Sequence, residues 1–399
     1  MVGRLTKLNL LLIPSSPKIG LTSYLTRLSI ALSKRDIRLV VVSDYAEEYP
    51  GLSNQLKRNR ITHYRFRGIE STFLYGTTEL RNILKSNDVD VVHAYGVKKT
   101  YKSYLAAKLA SSHISVVGNI NSLPASNSLA NRITNIFAYK VLDLSTDVTV
   151  SVSNLVRTTL VSYGISEEKI ATIHNGVDLQ WFDAEKKKEP KCQISELIGS
   201  LEGKDIVSYV AWLYPYKRHI DYLQAARIVL KKFPQTIFLV VGRGPLFNYL
   251  KQYSKRLGIS GNVIFTNHIP YDQVPWLLSK INIGVQASLD EQCPKAVLEY
   301  MAAEKPVVAT NVGDTRFLIK NGVSGYLVKP RDTRSLASAI IRILDDPQLQ
   351  REMGKQGRLL IETKFNIEAM TVRLERLYRS LVGHQRKRFP MVKNAHCND

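Results

Sequence analysis

The clearest indication of the fold is the sequence Ile283-Gly-Val-Gln-Ala-Ser-Leu-Asp-Glu-Gln-Cys-Pro-Lys-Ala-Val-Leu-Glu-Tyr-Met-Ala-Ala-Glu-Lys-Pro-Val-Val-Ala-Thr310. A short apolar run at Ile283–Val285 is followed by a polar loop, and Pro294–Ala303 then has the apolar spacing of a helix. A second apolar run covers Pro306–Ala309. Continuous apolar runs separated by a helix are typical of parallel strands that are covered on both faces. The stretch therefore predicts one strand–helix–strand unit of an α/β domain.

The same alternation continues on both sides of this unit. Further strands are predicted at Ile206–Val210, Ile237–Val241, Val263–Phe265 and Gly325–Leu327 in the second half, and at Leu8–Ile13, Leu39–Ser43, Val89–His93, Ile114–Val117 and Val148–Ser151 in the first. Further helices are predicted at Ser23–Arg35, Thr100–Ser111, Arg218–Phe233 and Ser335–Leu344. Because both halves alternate strand and helix, we expect two Rossmann-like, doubly wound α/β domains.

The alternation is interrupted once, at residues 183–202, where the charged run Glu185-Lys-Lys-Lys-Glu-Pro-Lys191 has no apolar period. The predicted parts of the chain are a first domain at 1–178, a linker at 179–203, a second domain at 204–366, a C-terminal helix of about 367–390 that packs back onto the first domain, and a basic tail at 391–399. Two similar domains of this class are expected to hold a ligand in a central cleft, at the carboxyl ends of their strands.

Composition limits the kinds of partner and compartment. The 399 residues include 56 Lys and Arg against 34 Asp and Glu, a formal net charge of +22. This charge favours phosphorylated small molecules, anionic lipids or nucleic acid, and does not choose among them. The three cysteines are far apart and form no C-x-x-C, which argues against a disulfide framework or a cysteine zinc site and for a reducing compartment. No run reaches the ~20 apolar residues of a membrane span.

Polar groups gather where the predicted helix begins at Pro294. The first N–H groups of that helix, at 295–297, and the positive end of its dipole make an anion site. Glu291 precedes the helix, and Glu299 lies about one and a half turns inside it. Two carboxylates around an anion site point to a ligand with hydroxyls on both sides of a diphosphate, which is a nucleotide-sugar. The alternative is an ordinary loop-to-helix junction with two solvated acids.

The E-x7-E pattern from Glu291 to Glu299, with Glu304-Lys-Pro-Val-Val-Ala-Thr310 and Val312-Gly-Asp314 beside it, resembles the signature of family-4 retaining glycosyltransferases. Segments elsewhere are also similar to that family, in the family's order: Asp88-Val-Asp-Val-Val-His-Ala-Tyr-Gly96, Ser151-Val-Ser-Asn-Leu-Val-Arg-Thr-Thr-Leu160, Glu168-Lys-Ile-Ala-Thr-Ile-His-Asn-Gly-Val-Asp178, Val241-Gly-Arg-Gly-Pro245 and Asn321-Gly-Val-Ser-Gly-Tyr-Leu-Val328. The likeness covers nearly the whole chain. It implies a GT-B fold, in which two Rossmann-like domains face a central cleft and the second holds most of the donor.

The resemblance also implies roles for individual residues. Glu299 is expected to bind the donor ribose and Glu291 the transferred sugar, while Lys217 matches the lysine that pairs with the diphosphate. For Lys217 the alternative is a solvated loop lysine. Gly20 matches a glycine turn that meets the donor phosphates. The other residues expected to bind the donor are Arg218, Arg243, Asn121, Lys295, Ala296, Val297 and Ile269.

The chain departs from the family pattern at three places. Trp212 stands where the family usually has an arginine that partners the lysine, so Arg218 or Arg243 would have to compensate. Asn121 stands at the position of a family histidine, and an amide can hydrogen-bond a sugar but carries no titrating proton. Gln292-Cys293 replaces a Gly-Phe pair, which is expected to narrow the choice of donor.

These observations predict a retaining glycosyltransferase that moves a sugar from a nucleotide-diphosphate-sugar to a hydroxyl acceptor, in glycan, polysaccharide or glycolipid synthesis. The alternative is a non-catalytic nucleotide-sugar or glycan-binding scaffold of the same fold, which Trp212 and Asn121 make credible. No cofactor is expected, because the first βα turn, at 14–21, lacks G-x-G-x-x-G, the adjacent pair Asp290-Glu291 forms no D-x-D, and protein cations can stabilise a leaving diphosphate without a metal ion. No nucleic-acid motif is present, so a nucleic-acid partner is not expected.

Two basic segments bear on where such an enzyme works. Lys98-Lys-Thr-Tyr-Lys-Ser-Tyr104 mixes cations with aromatic rings, as interfacial segments do, and Gln385-Arg-Lys-Arg-Phe-Pro390 is a second basic cluster. Members of the family often extend lipid-carried glycans at the cytoplasmic membrane face. We therefore expect a cytoplasmic protein that binds an anionic membrane surface peripherally. A solvated basic face that only aids solubility is the alternative.

Overall fold

The computed structural model describes residues 7–14, 19–43, 50–65, 73–121, 129–190 and 193–383. The chain divides into two compact units. The first unit contains Met1–His174 and Met370–Asp399, and the second contains Asn175–Ala369.

The first unit is built on a parallel sheet of seven strands in the order β3-β2-β1-β4-β5-β6-β7. The strands are β1 (Leu8–Ile13), β2 (Ile37–Ser43), β3 (Thr62–Arg65), β4 (Val91–Tyr95), β5 (Ser115–Ile120), β6 (Val148–Ser151) and β7 (Ile170–Thr172). The helices between them are α1 (Ile19–Ser33), α2 (Pro50–Arg58), α3 (Phe73–Ser86), α4 (Val97–Ala110), α5 (Leu129–Leu144) and α6 (Asn154–Ser162). The strand order reverses between β1 and β4, which is the switch point of a doubly wound sheet.

The second unit repeats this plan with six parallel strands in the order β10-β9-β8-β11-β12-β13. The strands are β8 (Ile206–Val210), β9 (Ile237–Val241), β10 (Val263–Asn267), β11 (Ile283–Gln286), β12 (Val307–Thr310) and β13 (Gly325–Val328). The helices are α7 (Leu179–Lys186), α8 (Gln193–Gly199), α9 (His219–Val229), α10 (Phe247–Arg256), α11 (Val274–Lys280), α12 (Lys295–Ala302), α13 (Thr315–Leu318), α14 (Thr333–Leu344) and α15 (Pro347–Thr363). Its switch point lies between β8 and β11.

The two predicted doubly wound α/β units are confirmed. Strands β1, β6, β8 and β9 begin and end where the apolar runs predicted them. The predicted starts of two helices differ from those in the structure. Helix α1 begins at Ile19 rather than Ser23, so Gly20 lies in its first turn, and Pro294 is the N-cap of α12 rather than its first residue.

The predicted linker at 179–203 is wrong, because this segment contains α7 and α8 and belongs to the second unit. Asp178 caps α7 by accepting a hydrogen bond from the Trp181 N–H at 3.0 Å. Phe182 is fully buried, and Asp183 accepts two hydrogen bonds from Arg358, at 2.9 and 2.7 Å. The charged run that suggested a linker starts on the polar face of this short helix.

The last described helix, α16 (Ile367–Gly383), begins in the second unit and joins the first unit from Met370 onward. Glu375 forms an ion pair with Arg35 of the first unit, and Tyr378 is fully buried there. Residues 384–390 of the predicted C-terminal helix and the predicted tail at 391–399 lie outside the described residues. Among the helices that are described, none is both long and apolar enough to cross a membrane.

Candidate active site

The candidate site lies at the carboxyl ends of the strands of the second unit. Lys217 follows β8, Arg243 follows β9, Ile269 follows β10, and Glu291 follows β11. Because β8 and β11 are neighbours at the switch point, their following loops border the crevice where doubly wound sheets bind ligands.

Glu291 is buried and forms an ion pair with the partly buried Lys217 at the centre of these loops. The same carboxylate oxygen, Oε1, accepts hydrogen bonds from the Ser288 hydroxyl at 2.7 Å and from the Gln286 amide. An ammonium has three donors, so Lys217 keeps donors for a further ligand after pairing with Glu291. The ion pair and these hydrogen bonds fix a positive charge beside a carboxylate, where both can contact a ligand.

Hydrogen bonds also fix the loop that carries Lys217 against the loop that carries Glu291. The Tyr209 hydroxyl donates to the Lys217 carbonyl at 2.6 Å and lies 3.1 Å from the Ser288 hydroxyl. The Leu289 N–H donates to the Tyr216 carbonyl at 2.8 Å. Since Tyr209 is fully buried in β8, the position of Lys217 is set by the core of the second unit.

Glu299 lies in α12 and is buried. The Tyr271 hydroxyl donates to its Oε1 at 3.0 Å. Burial raises the pKa of Glu299 to about 7, although Lys295 and Tyr271 oppose this rise. Burial likewise lowers the pKa of Lys295 to about 8. Ala296 and Val297 complete the first turn of α12, behind the Pro294 N-cap.

The two arginines expected to compensate for Trp212 differ in the structure. Arg218 adopts a left-handed backbone with φ +53° and donates two hydrogen bonds to Asp221, at 2.9 and 2.7 Å. Its charge is therefore already paired. The Arg243 guanidinium lies 5.1 Å from the centre of the Trp212 ring and, within the described part of the chain, has no carboxylate partner. Arg243 is thus the arginine available to an anionic ligand.

Several residues of the site were missed by the sequence analysis. Gln286 and Ser288 hold Glu291, Tyr271 holds Glu299, and the Trp181 ring stacks on Tyr271 with centroids 5.2 Å apart. Of these residues, Gln286 could have been found from the sequence, because it is a polar residue at the end of an otherwise apolar strand. Trp181 gave none, because the stacking pairs residues far apart in the chain.

His219 and Cys293 are buried groups next to the site that carry no charge at neutral pH. Burial and the nearby charge of Lys217 lower the pKa of His219 to about 3, and its ring stacks on Tyr209 with centroids 4.3 Å apart. Burial raises the pKa of the Cys293 thiol to about 12. Neither a nucleophilic thiolate nor a histidine cation is therefore available here.

The remaining predicted residues, Gly20 and Asn121, belong to the first unit. Asn121 follows β5 and is half-buried, and its Oδ1 accepts a hydrogen bond from Asn119 Nδ2 at 2.7 Å. In β4, His93 is fully buried and lies between Asn119 and Tyr378.

Ile269, the last of the predicted donor-binding residues, lies in the second unit and is buried just before Tyr271.

The chain matches two family models, described as Glycosyltransferase Family 4 over residues 19–181 and as Glycosyl transferases group 1 over residues 193–360. Among curated proteins it is similar to a UDP-Gal:alpha-D-GlcNAc-diphosphoundecaprenol alpha-1,3-galactosyltransferase of Escherichia coli, with 26% identity over 76% of this chain and 78% of that one. It is also 26% identical to an N-acetyl-alpha-D-glucosaminyl L-malate synthase of Bacillus anthracis, over 75% of this chain and 77% of that one.

Solved structures with the same fold include a glycosyltransferase from Rickettsia africae, with a TM-score of 0.78 and 20% identity over 94% of this chain and 99% of that one. HepE from Anabaena in complex with UDP-glucose gives a TM-score of 0.77 and 20% identity, over 93% of this chain and 99% of that one. The fold is that of GT-B glycosyltransferases. Since the two family models match successive segments that together span both units, the chain belongs to the group 1, family-4 glycosyltransferases and is a glycosyltransferase.

Proposed function

We propose that this glycosyltransferase transfers a sugar from a nucleotide-diphosphate-sugar to a hydroxyl acceptor, with retention of the anomeric configuration. The observation that carries the proposal is the partly buried Lys217–Glu291 ion pair, which lies at the switch point of the second unit and just before the N-terminus of α12. HepE binds UDP-glucose, and the Escherichia coli relative is named for a UDP-Gal donor, which supports a nucleotide-sugar for this chain.

In this proposal the second unit binds the donor through charges and carboxylates. Glu299 accepts hydrogen bonds from the ribose hydroxyls, and Glu291 accepts them from the transferred sugar. Lys217 and Arg243 neutralise the diphosphate, together with the first N–H groups of α12. Because Arg218 is paired with Asp221, Arg243 takes the place of the family arginine that Trp212 replaces.

The protein groups favour same-face attack over a covalent enzyme intermediate. Glu291 is engaged by Lys217, Ser288 and Gln286, and the Cys293 thiol stays protonated, so neither is a good nucleophile. In the proposed step the sugar–phosphate bond breaks while the acceptor oxygen bonds to the same face of the sugar carbon. The acceptor proton goes to the leaving phosphate oxygen. Lys217 and Arg243 stabilise the charge on that phosphate, and we propose that no metal ion is required.

The acceptor is proposed to be a glycan or a lipid-linked sugar, used at an anionic membrane surface on the cytoplasmic side. The name of the Escherichia coli relative specifies a diphosphoundecaprenol substrate. In the first unit, Ile133, Phe137 and Leu144 of α5 are 60%, 72% and 76% exposed, and form an apolar stripe along that helix.

Exposed cations accompany the apolar stripe of α5. Lys140 lies on the same helix, and Lys108 of α4 is also exposed, next to Leu109, which is 60% exposed. In the predicted basic segment of α4, Lys98 is exposed while Thr100 and Ser103 are buried. The other basic segment, Gln385–Pro390, lies outside the described residues. Apolar side chains among lysines are what an anionic bilayer surface binds.

The proposal is tested with a panel of nucleotide-sugars, measuring turnover with and without hydroxyl acceptors and the anomeric configuration of the product by NMR. Lys217→Ala should lower the turnover rate and weaken a nucleoside diphosphate more than the bare nucleoside. The control is Lys255→Ala, which removes an exposed lysine of α10. Equal losses for both ligands would exclude Lys217 from the phosphate site. Binding without turnover of any donor would favour the non-catalytic scaffold.

A further inference from the structure

Two contacts within the second unit lead from α7 to the carboxylate of Glu299. The Trp181 ring of α7 stacks on the Tyr271 ring, with centroids 5.2 Å apart and planes 8° from parallel. The Tyr271 hydroxyl donates to Glu299 Oε1 at 3.0 Å. Trp181 and Tyr271 are partly buried, whereas Glu299 is buried. The three side chains come from α7, from the turn before α11 and from α12, and all belong to the second unit.

The start of α7 fixes the place of the Trp181 ring. The backbone N–H of Trp181 donates to the Asp178 cap at 3.0 Å, and the next residue, Phe182, is fully buried in the second unit. Parallel, offset aromatic rings attract each other beyond the area that they bury. The stack on Trp181 therefore limits where the Tyr271 ring, and with it the hydroxyl that reaches Glu299, can lie.

The Tyr271 hydroxyl acts on the charge of Glu299. A donor to a carboxylate stabilises its ionised form, whereas burial favours the neutral form and here raises the pKa of Glu299 to about 7. The charge of Lys295, one turn earlier on α12, also favours the ionised form. The neighbouring Tyr300 hydroxyl turns to β8, where it donates to the Ser208 carbonyl at 3.1 Å. Near neutral pH the ionisation of Glu299 is thus balanced between burial on one side and Tyr271 with Lys295 on the other.

We propose that Trp181 and Tyr271 are positioning residues that hold the Glu299 carboxylate ionised and available to the donor ribose. Tyr271 acts on Glu299 directly, and Trp181 acts through Tyr271. The inference rests on the proposed function and adds a regulation to it, because the two rings set the pH range over which the donor binds. Helix α7 thereby acts on the donor site through a side chain of another element.

The chain offers matched variants for this test. Tyr271→Phe removes the hydroxyl that donates to Glu299 and keeps the ring that stacks on Trp181. Tyr253→Phe is the control, since Tyr253 is a partly buried tyrosine of the same unit whose hydroxyl accepts from Gln224 Nε2 at 2.8 Å. Trp181→Leu removes the stack and leaves the Tyr271 hydroxyl in the chain. The double variant of Trp181 and Tyr271 shows whether the first residue acts through the second.

The ionisation of Glu299 is measured without ligand, by 13C NMR of the full chain labelled at the glutamate carboxyl carbons, with the Glu299 signal assigned as the one lost in Glu299→Gln. Tyr271→Phe should raise the titration midpoint by about one pH unit or more, as expected when a charged group loses one hydrogen bond. Tyr253→Phe should leave the midpoint unchanged. An unchanged midpoint in Tyr271→Phe, or equal changes in the two tyrosine variants, would overturn the proposal.

The part of Trp181 is decided by the same titration. Trp181→Leu should raise the midpoint by less than Tyr271→Phe does, because the hydroxyl is still present but is no longer held in place. In the Tyr271→Phe background, Trp181→Leu should cause no further rise. A rise of the same size in both backgrounds would mean that Trp181 acts on Glu299 independently of Tyr271, which contradicts its proposed role.

The consequence for the donor is measured by calorimetry at two pH values, with the donor that the nucleotide-sugar panel identifies. A rise of one pH unit from about 7 predicts that Tyr271→Phe binds the donor about fivefold more weakly than the wild type at pH 7 and less than twofold more weakly at pH 9. Both proteins keep Lys295, so the ratio of their affinities isolates the effect on Glu299. The same loss at both pH values would reduce the hydroxyl to a structural role and overturn the proposal. If no nucleotide-sugar binds, the proposed function fails, while the NMR midpoints still decide whether the two rings control Glu299.

Discussion

At the scale of single residues, Glu299 makes donor binding depend on pH. Burial raises its pKa to about 7, so below that pH the carboxyl is protonated and accepts ribose hydrogen bonds less well. Donor affinity should therefore fall as the pH is lowered from about 8 to about 6. Titration calorimetry checks this, and Glu299→Gln should remove the fall that this carboxyl causes, whereas Lys295, with a pKa of about 8, gains its charge over the upper part of the same range. Glu299→Ala should weaken the donor by about 1.5–3 kcal/mol, and unchanged affinity would contradict the placement of the ribose.

Also at this scale, a guanidinium at position 212 should be able to replace the guanidinium of Arg243 at the diphosphate. Arg243→Ala should weaken nucleoside diphosphate binding, because it removes the one arginine of the site that has no acidic partner in the described structure. Adding Trp212→Arg to Arg243→Ala should restore much of that affinity, since it puts a guanidinium on the neighbouring loop. Adding Trp212→Leu instead is the control and should not restore it. Failure of the arginine to rescue would exclude this compensation.

At the scale of elements, the loop after β12 crosses closely over the loop that carries Glu291. Gly313 has φ +53°, and a Cβ at this position would lie 1.6 Å from the Glu291 carbonyl oxygen. Gly313→Ala should displace Glu291, weaken the donor and lower the Tm. The control is Gly322→Ala, where φ is +77° but a Cβ meets nothing within 4 Å, so only about 1–2 kcal/mol of backbone strain is expected. Equal effects on donor affinity would contradict the close approach.

At the scale of the whole molecule, the net charge and the apolar stripe of α5 predict binding to anionic vesicles that fades as salt rises. Combining Phe137→Ser with Leu144→Ser should weaken co-sedimentation about tenfold or more, because each exposed side chain would bury apolar area in the interface. The matched control is Leu359→Ser, an apolar residue of α15 that is 51% exposed. A protein that stays in the supernatant with anionic vesicles at low salt would favour a soluble acceptor.

Local patterns in the chain were enough for the fold class and for the positions of Glu291 and Glu299 relative to α12. Strands β1, β6, β8 and β9 begin and end as predicted, because a strand buried on both faces tolerates few polar residues and its ends are marked by them. The spacing of Glu291 and Glu299 likewise placed one carboxylate before α12 and the other inside it. Both features depend on residues close together in the chain, which is why they can be predicted without a structure.

Which charges are already paired could be learned from the folded chain alone. Arg218 and Arg243 look alike in the sequence, yet Arg218 turns onto Asp221 through a left-handed backbone while Arg243 stacks on Trp212. The same applies to α7, whose charged sequence predicts a linker although Asp183 pairs with Arg358 in the fold. An ion pair or a ring stack depends on the distance between side chains, and chain folding sets that distance for residues of different elements, so no local pattern encodes it.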